Sequence, residues 1–379
     1  MRWQRVDPHA DAPALRGPRF GSYAPDEVTW LLKDLSHVPL EADLAVRERR
    51  IQAGAAHYAE SLPIEYQPGA EYQQLFADTL DESAKRLAHA VGVVGELLIA
   101  ERHREPTLVS LARAGTPIGI LLRRWLLRVH GWAAPHYTIS IVRDRGIDTV
   151  ALDHITKRHD AASVVFVDGW TGKGAIQREL TAALRTYADG GGPALFDELA
   201  VLADPGCATT TFGTRDDFLI ASACLNSTVS GLISRTVLNS DHIGDGEFHG
   251  AKFYRHLADH DMSNRFLDAV SAQFDTVRES VTSHIAALGR AQRTATWAGW
   301  ESVEKIRAEY GLSSMNFVKP GVGETTRVLL RREPWRVLVR DAGLPEHRHI
   351  RILAAERGVP IEVHDDLAYS CVGLIKEDS

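Results

Sequence analysis

Between residues 107 and 222 short apolar runs alternate with stretches of helical length. Thr107–Leu111, Tyr137–Arg143, Val164–Asp168 and Leu199–Asp204 read as strands, with Phe218–Ser222 as a candidate fifth. Ile118–Val129, a segment ending near His159, and Ala175–Tyr187 carry the apolar spacing of helices between them. Such alternation predicts an α/β fold with a doubly wound parallel sheet. Ligands of these sheets sit at the carboxyl ends of the strands. Three polar turns fall there: Ala112–Pro117, Asp144–Asp148 and Gly169–Gly174.

The flanks have other patterns. Residues 1–19 mix Pro and charge without period and read as a loose arm. A helix is expected within Phe20–Leu35, with Val28, Leu31, Leu32 and Leu35 on one face. A second is expected over about 44–60 and a long third over Tyr72–Arg102, so residues 1–105 form a helical N-terminal cap. The core, 106–312, ends in a helical extension from Met262 to Tyr310. Pro320, Gly321 and Gly323 mark 313–327 as a linker. The last segment, 328–379, reads as a small α/β domain. Its strands are Val328–Leu330, Val337–Val339, Pro360–Val363 and Cys371–Ile375, with a helix over His347–Arg357.

A chain of 379 residues with 44% hydrophobic content can bury a sizeable core. A formal charge of −7 gives no global nucleic-acid signature, but leaves room for a local basic patch. Cys207, Cys224 and Cys371 are too few and too far apart for a disulfide framework or a zinc ribbon. The start has no apolar signal segment. The longest apolar run, near Ala90–Ala100, is interrupted by Glu96. A cytoplasmic protein is expected.

Candidate chemistry centres on Val164–Ile176, VVFVDGWTGKGAI. A strand that delivers Asp168, then a Gly-rich turn, then a helix start, can cradle an anion on backbone N–H groups. Gly169, Thr171, Gly172, Lys173, Gly174 and Ala175 would surround it. An ordinary βα turn with glycines for packing gives the same pattern. The upstream turn offers Arg113, Ala114, Gly115 and Thr116, and the middle turn Arg143 and Arg145. Arginine forks suit phosphate oxygens, and equally suit an ion pair with Asp144 or Asp148. Cys224 with His249 could make a nucleophile; a buried Cys acting as a small hydrophobe is the plainer role. Seven arginines between Arg327 and Arg351 permit phosphate contact or form a solvated face.

The two Gly-rich turns resemble the ribose-phosphate and pyrophosphate loops of type I phosphoribosyltransferases. Asp168 stands where that family has a pair of acids, and the loop from Asp168 to Thr171 is shorter. The resemblance implies phosphoribosyl transfer from phosphoribosyl pyrophosphate and Mg2+ to a small-molecule acceptor, by a homodimer. Asp168, Arg143 and Arg145 would then be catalytic, with no metal ligand assigned beyond an indirect role for Asp168. Arg113–Thr116 and Gly169–Ala175 would bind substrate. The tail, with Arg357-Gly358-Val359-Pro360 and Tyr369–Lys376, resembles a Pelota-type RNA-binding domain, which implies RNA as a partner. With FGSYAPDEVTWLLK and FGTRDDFLIASACLNSTVSGLISRT, the whole chain resembles one bacterial family linked to tellurite-resistance and stress gene clusters. That family is described both as phosphoribosyltransferase-like with a Pelota domain and as a cysteine protease, for which Cys224 is the alternative nucleophile. A non-catalytic nucleotide- or RNA-sensing module is a further alternative.

Overall fold

The computed structural model describes residues 13–42, 57–65, 67–102 and 104–376. Its centre is a six-stranded sheet formed by β1 (Thr29–Trp30), β2 (Thr107–Leu111), β3 (His136–Ile139), β4 (Val164–Trp170), β5 (Leu199–Ala203) and β6 (Phe212–Thr214). The strand order is β1-β3-β2-β4-β5-β6, and every pairing is parallel. β2 and β5 are buried along their whole length, as expected for strands covered on both faces. Side chains of β4 alternate. Val165 and Val167 join a cluster with α1 (Ala70–Arg102), α2 (Gly115–His130), α5 (Ser263–Ser271) and α6 (Phe274–Ala287). Val164 and Phe166 face α3 (Thr149–Thr156) and α4 (Ala175–Asp189) on the other side. Glu96, which breaks the apolar run of α1, accepts from Trp125 Nε1 at 2.9 Å. Among the described residues no helix is long and apolar enough to cross a membrane.

The expected α/β alternation is present, and several expectations are corrected. The N-terminal region is not an all-helical cap. Glu27–Leu32 is buried at every position, which a one-sided helix does not allow, and Thr29–Trp30 pairs with Tyr137–Thr138 at the sheet edge. Most of the helix expected over 44–60 lies outside the described residues, and 58–60 is turn and bend. The fifth strand of the αβ unit is Phe212–Thr214, while Phe218–Ser222 leads into a 3-10 turn at Ala221–Ala223. β4 continues through Gly169 and Trp170, so its loop begins only at Thr171.

The tail is built on a four-stranded sheet of β7 (Val318–Pro320), β8 (Pro334–Val339), β9 (Ile361–Val363) and β10 (Cys371–Ile375), in the order β7-β10-β8-β9. α7 (Ala298–Glu309) covers one face, packing Val303 and Ile306 on Leu338, Val372 and Leu374. α8 (Val322–Arg331) and α9 (Arg348–Glu356) cover the other. Residues expected as a linker are therefore β7 and the start of α8, and Val328–Leu330 is helix rather than strand. Val322, Leu329, Ile350 and Cys371 belong to the same apolar cluster as α1 and α2, so the tail is docked rather than tethered.

One carboxylate closes the joint. The N-cap of α8 is Gly321, which has no side chain to cap with. Asp217 of the core supplies the cap instead: its Oδ1 accepts from Val322 N at 2.8 Å. Its Oδ2 accepts from Ser370 N and Ser370 Oγ, both at 2.9 Å. Asp217→Ala removes these acceptors and leaves their donors enclosed, at a cost of about 2–3 kcal/mol. Amide exchange at Val322 and Ser370 is expected to accelerate while β2 and β5 stay protected. Uniform acceleration would show that the joint is not a local unit.

Candidate functional site

Within residues 107–214 the strand order is 2-1-3-4-5, and the order reverses between β2 and β4. Connections leaving these two neighbours diverge, which opens a crevice beyond their carboxyl ends. Gly115 lets the β2–α2 turn lie against β4, since a Cβ there would stand 2.4 Å from the Val167 carbonyl oxygen. The crevice holds a cavity of about 260 Å³. Asp168, Trp170, Lys173, Arg143 and the first turn of α4 line it from the core. The tail contributes Lys319, Pro320, Glu324 and Arg327.

The cavity carries four cations, Arg143, Lys173, Lys319 and Arg327, against the carboxylates Asp168 and Glu324. Lys173 Nζ donates to the Met315 carbonyl at 2.7 Å. Burial, then repulsion from Lys319 and Arg143, pulls its pKa down to about 8. Burial also lowers the pKa of Lys319. Arg327 is held in place by Glu324 at 2.9 Å, by the Ala223 carbonyl at 3.3 Å, and over the Trp170 ring at 5.1 Å. Asp168 accepts from Gly169 N at 2.8 Å. Loss of hydration outweighs that bond and the nearby Arg327, and raises its pKa from 3.8 to about 6. Helix α4 has Gly174 as N-cap and no side-chain cap, so its first turn faces the cavity as bare backbone. The φ of +78° at Gly174 suits glycine, and a Cβ would stand 2.5 Å from Trp297.

The structure redistributes the expected site residues. Lys173, Gly172, Gly174, Ala175, Asp168, Arg143 and Ala114 do share one cavity. Thr171 does not face it as a ligand: its hydroxyl is buried and donates to Asp204. Thr116 is buried as well, accepting from Thr138 Oγ1 at 3.1 Å. Arg113 reaches away, to the Ile233 carbonyl at 3.1 Å and to Glu65 at 3.7 Å. Arg145 pairs with Glu60 at 3.7 Å rather than with Asp144 or Asp148, and Asp148 caps α3. Gly172 offers its carbonyl to Tyr369 Oη at 3.1 Å, so the tail grips the loop itself. Cys224 is fully buried. His249 meets Ser140 Oγ at 2.9 Å through Nδ1, and its backbone N–H donates to Asp148 Oδ2 at 2.7 Å.

Sequence reasoning missed three groups. Asp204 ties together Thr171, Arg215 and the amides of Ala208 and Thr209, and so shapes the loop beside the cavity. Asp217 seats the tail. Lys319 and Glu324 fell in the supposed linker. An Asp at a strand end was a usable signal for Asp204; Asp217 and Lys319 act across more than 100 residues and left none. Among the described residues no group of three His, Cys, Asp or Glu side chains is placed to hold a metal ion.

The shift at Asp168 has a defined sign. A folded-state pKa above the unfolded value favours the protonated native state, so the stabilisation is full below about pH 4 and is lost as pH rises through about 6. Asp168→Asn removes this dependence. Relative to the variant, the native chain is expected to lose up to roughly 3 kcal/mol between pH 4 and pH 8. Urea midpoints across that range test it, and parallel curves would mean that Asp168 is well hydrated.

Residues 21–271 match a family model described as "Tellurite-like stress resistance cysteine protease StiP", and residues 297–377 match one for the PELOTA RNA binding domain. A protein of Acinetobacter baylyi named "Cysteine protease StiP" is 36% identical over 368 residues, covering 94% of each chain. The expected stress-resistance family and RNA-binding tail are thus found. The expected phosphoribosyltransferase activity is overturned, since both the family description and the relative's name give a cysteine protease. Phosphoribosyl pyrophosphate, its acceptor and Mg2+ were implied by that activity alone. The two loops share local pattern with the transferases, but Thr171 and Arg113 serve packing here.

Proposed function

We propose, from the premise that the chain belongs to the StiP family of tellurite-like stress-resistance cysteine proteases, that it is a cysteine-dependent hydrolase with Cys224 as its nucleophile. The observation that carries the choice of thiol is the position of Ser222–Asn226. Ser222, Leu225 and Asn226 line a second small cavity together with Ala114, Trp170 and Arg327, three residues that also border the main cleft. The segment Ser222–Asn226 therefore borders the crevice at the strand ends, with Cys224 itself buried behind that lining. Cys371 is a poorer candidate: it lies buried inside the tail sheet, and burial holds its thiol well above the usual range. Cys207 is half-buried in the turn after β5 and serves as the comparison.

In such a reaction the thiolate adds to the substrate carbonyl, the leaving amine takes a proton, and water hydrolyses the thioester. The base offered by the sequence is His249, whose ring meets Ser140 Oγ in the described conformation. Burial lowers its pKa, which keeps the ring neutral, the form a base requires. In the conformation described, Cys224 is covered, and Arg327 of the tail bonds the adjacent Ala223 carbonyl. Catalysis therefore requires the wall to move.

The reading predicts that Cys224→Ala lowers hydrolysis of an unfolded protein substrate about a thousandfold, while Cys207→Ala leaves it near the native rate. Iodoacetamide is expected to label Cys224 slowly in the resting chain, because a buried thiol is inert. Activity lost with Cys207→Ala instead would move the nucleophile to the turn after β5. Activity retained in both variants and in Cys371→Ala would end the cysteine mechanism.

A further inference from the structure

We infer that the cleft between the sheet edge and the tail binds a phosphate of a single RNA strand, with Arg143, Lys173, Lys319 and Arg327 as its cationic contacts. The inference is independent of which cysteine reacts. It begins from an imbalance. Four cations from both halves of the chain converge on one cavity, and only two carboxylates accompany them. Glu324 is already engaged with Arg327. Asp168 is partly buried and poorly hydrated, with a pKa near 6. Among the described residues, neither Arg143 nor Lys319 forms an ion pair, and Glu324 offsets the Lys319 charge only from beyond contact. Lys173 and Lys319 are partly buried and repel each other and the exposed Arg143, and an anion entering the cleft relieves that repulsion.

The uncapped first turn of α4, lining the same cavity, adds backbone N–H groups to these cations. Arg327 is held in place beforehand by Glu324, Trp170 and the Ala223 carbonyl, so little side-chain freedom is lost on binding.

The tail narrows the anion to RNA. Lys319 and Arg327 both lie within residues 297–377, the part that matches an RNA-binding domain. The part of that domain that borders the open cavity thus presents Lys319 and Arg327, with Glu324 beside them. At about 260 Å³ the cavity has room for roughly one nucleotide unit. That room is too small for a duplex and suits one nucleotide of a single strand. The core contributes Arg143, so RNA bound here touches both halves of the chain.

The test uses the full-length chain and a fluorescent single-stranded RNA of about ten nucleotides, read by anisotropy across a salt series. Arg143→Ala is the informative variant, because this residue is exposed, belongs to the core and lies far in sequence from the RNA-binding match. Arg143→Ala and Lys319→Ala are each expected to weaken binding about tenfold and to reduce the salt slope by about 0.7. Inorganic phosphate at millimolar levels is expected to compete. Arg348→Ala, on the exposed side of α9, reports on the outer face of the tail. Loss of binding with Arg348→Ala and none with Arg143→Ala would place RNA on the outer face and overturn the inference. So would absence of RNA binding, or phosphate binding that leaves RNA affinity unchanged. A thermal melt of Lys319→Ala separates a lost contact from a lost fold, and Arg143→Ala carries the test if Lys319→Ala unfolds.

Discussion

The position of the tail rests on Asp217. This core carboxylate, just past β6, provides the cap that Gly321 cannot give to α8, and holds Ser370 at the start of β10. Burial raises its pKa, and the backbone and hydroxyl donors of Val322, Ser370 and Cys371 offset part of that penalty. Everything distinctive about the cleft depends on this seat. It carries Lys319 and Arg327 to the strand ends, and it sets Tyr369 on the Gly172 carbonyl. It also brings Arg327 to Ala223, next to Cys224.

The sheet was legible because its strands are written in the residues themselves. Thr107–Leu111 and Leu199–Ala203 are buried on both faces and so read as continuous apolar runs between turns. The helix α1 was legible from its period and length. Errors arose where local pattern and tertiary context diverge. Val28–Leu35 has helical spacing, yet edge pairing to β3 makes part of it a strand. Val328–Leu330 is a continuous apolar run, yet it belongs to an amphipathic helix capped from 105 residues away, with Val328 and Leu329 buried. Pro320, Gly321 and Gly323 were read as breakers of a linker. They instead end β7 and begin α8, where Gly321 adopts φ +89° beside Asp217.

The candidate site was legible in outline for the same reason, and misread in detail. Strand ends of a parallel sheet predict where a ligand sits, and the cavity is there. The pattern could not say which hydroxyls and guanidinium groups would be free to face it. Asp204 takes the Thr171 hydroxyl, and the Ile233 carbonyl with Glu65 takes Arg113. A loop can therefore keep the glycine spacing of a phosphate cradle while its side chains serve packing. Similar local motifs on one fold do not fix one chemistry, and the family match to a cysteine protease makes the same point from another direction.

The cation cluster remains as the feature that stability alone does not explain. Lys173 and Lys319 lose charge more easily than free lysines, burial being the first cause for each and neighbouring positive groups adding to it. A chain selected for folding alone has no use for such a gathering, because surface lysines cost nothing in solvent and these do. The cluster persists because rigid neighbours hold it: β7 carries Lys319, the α4 loop carries Lys173, and Trp170 with Glu324 positions Arg327. Local rules are broken in natural proteins mainly where a ligand repays the strain. The cleft is the place in this fold where like charge, bare helix backbone and an open cavity coincide, and it adjoins the smaller cavity lined by Ser222, Leu225 and Asn226.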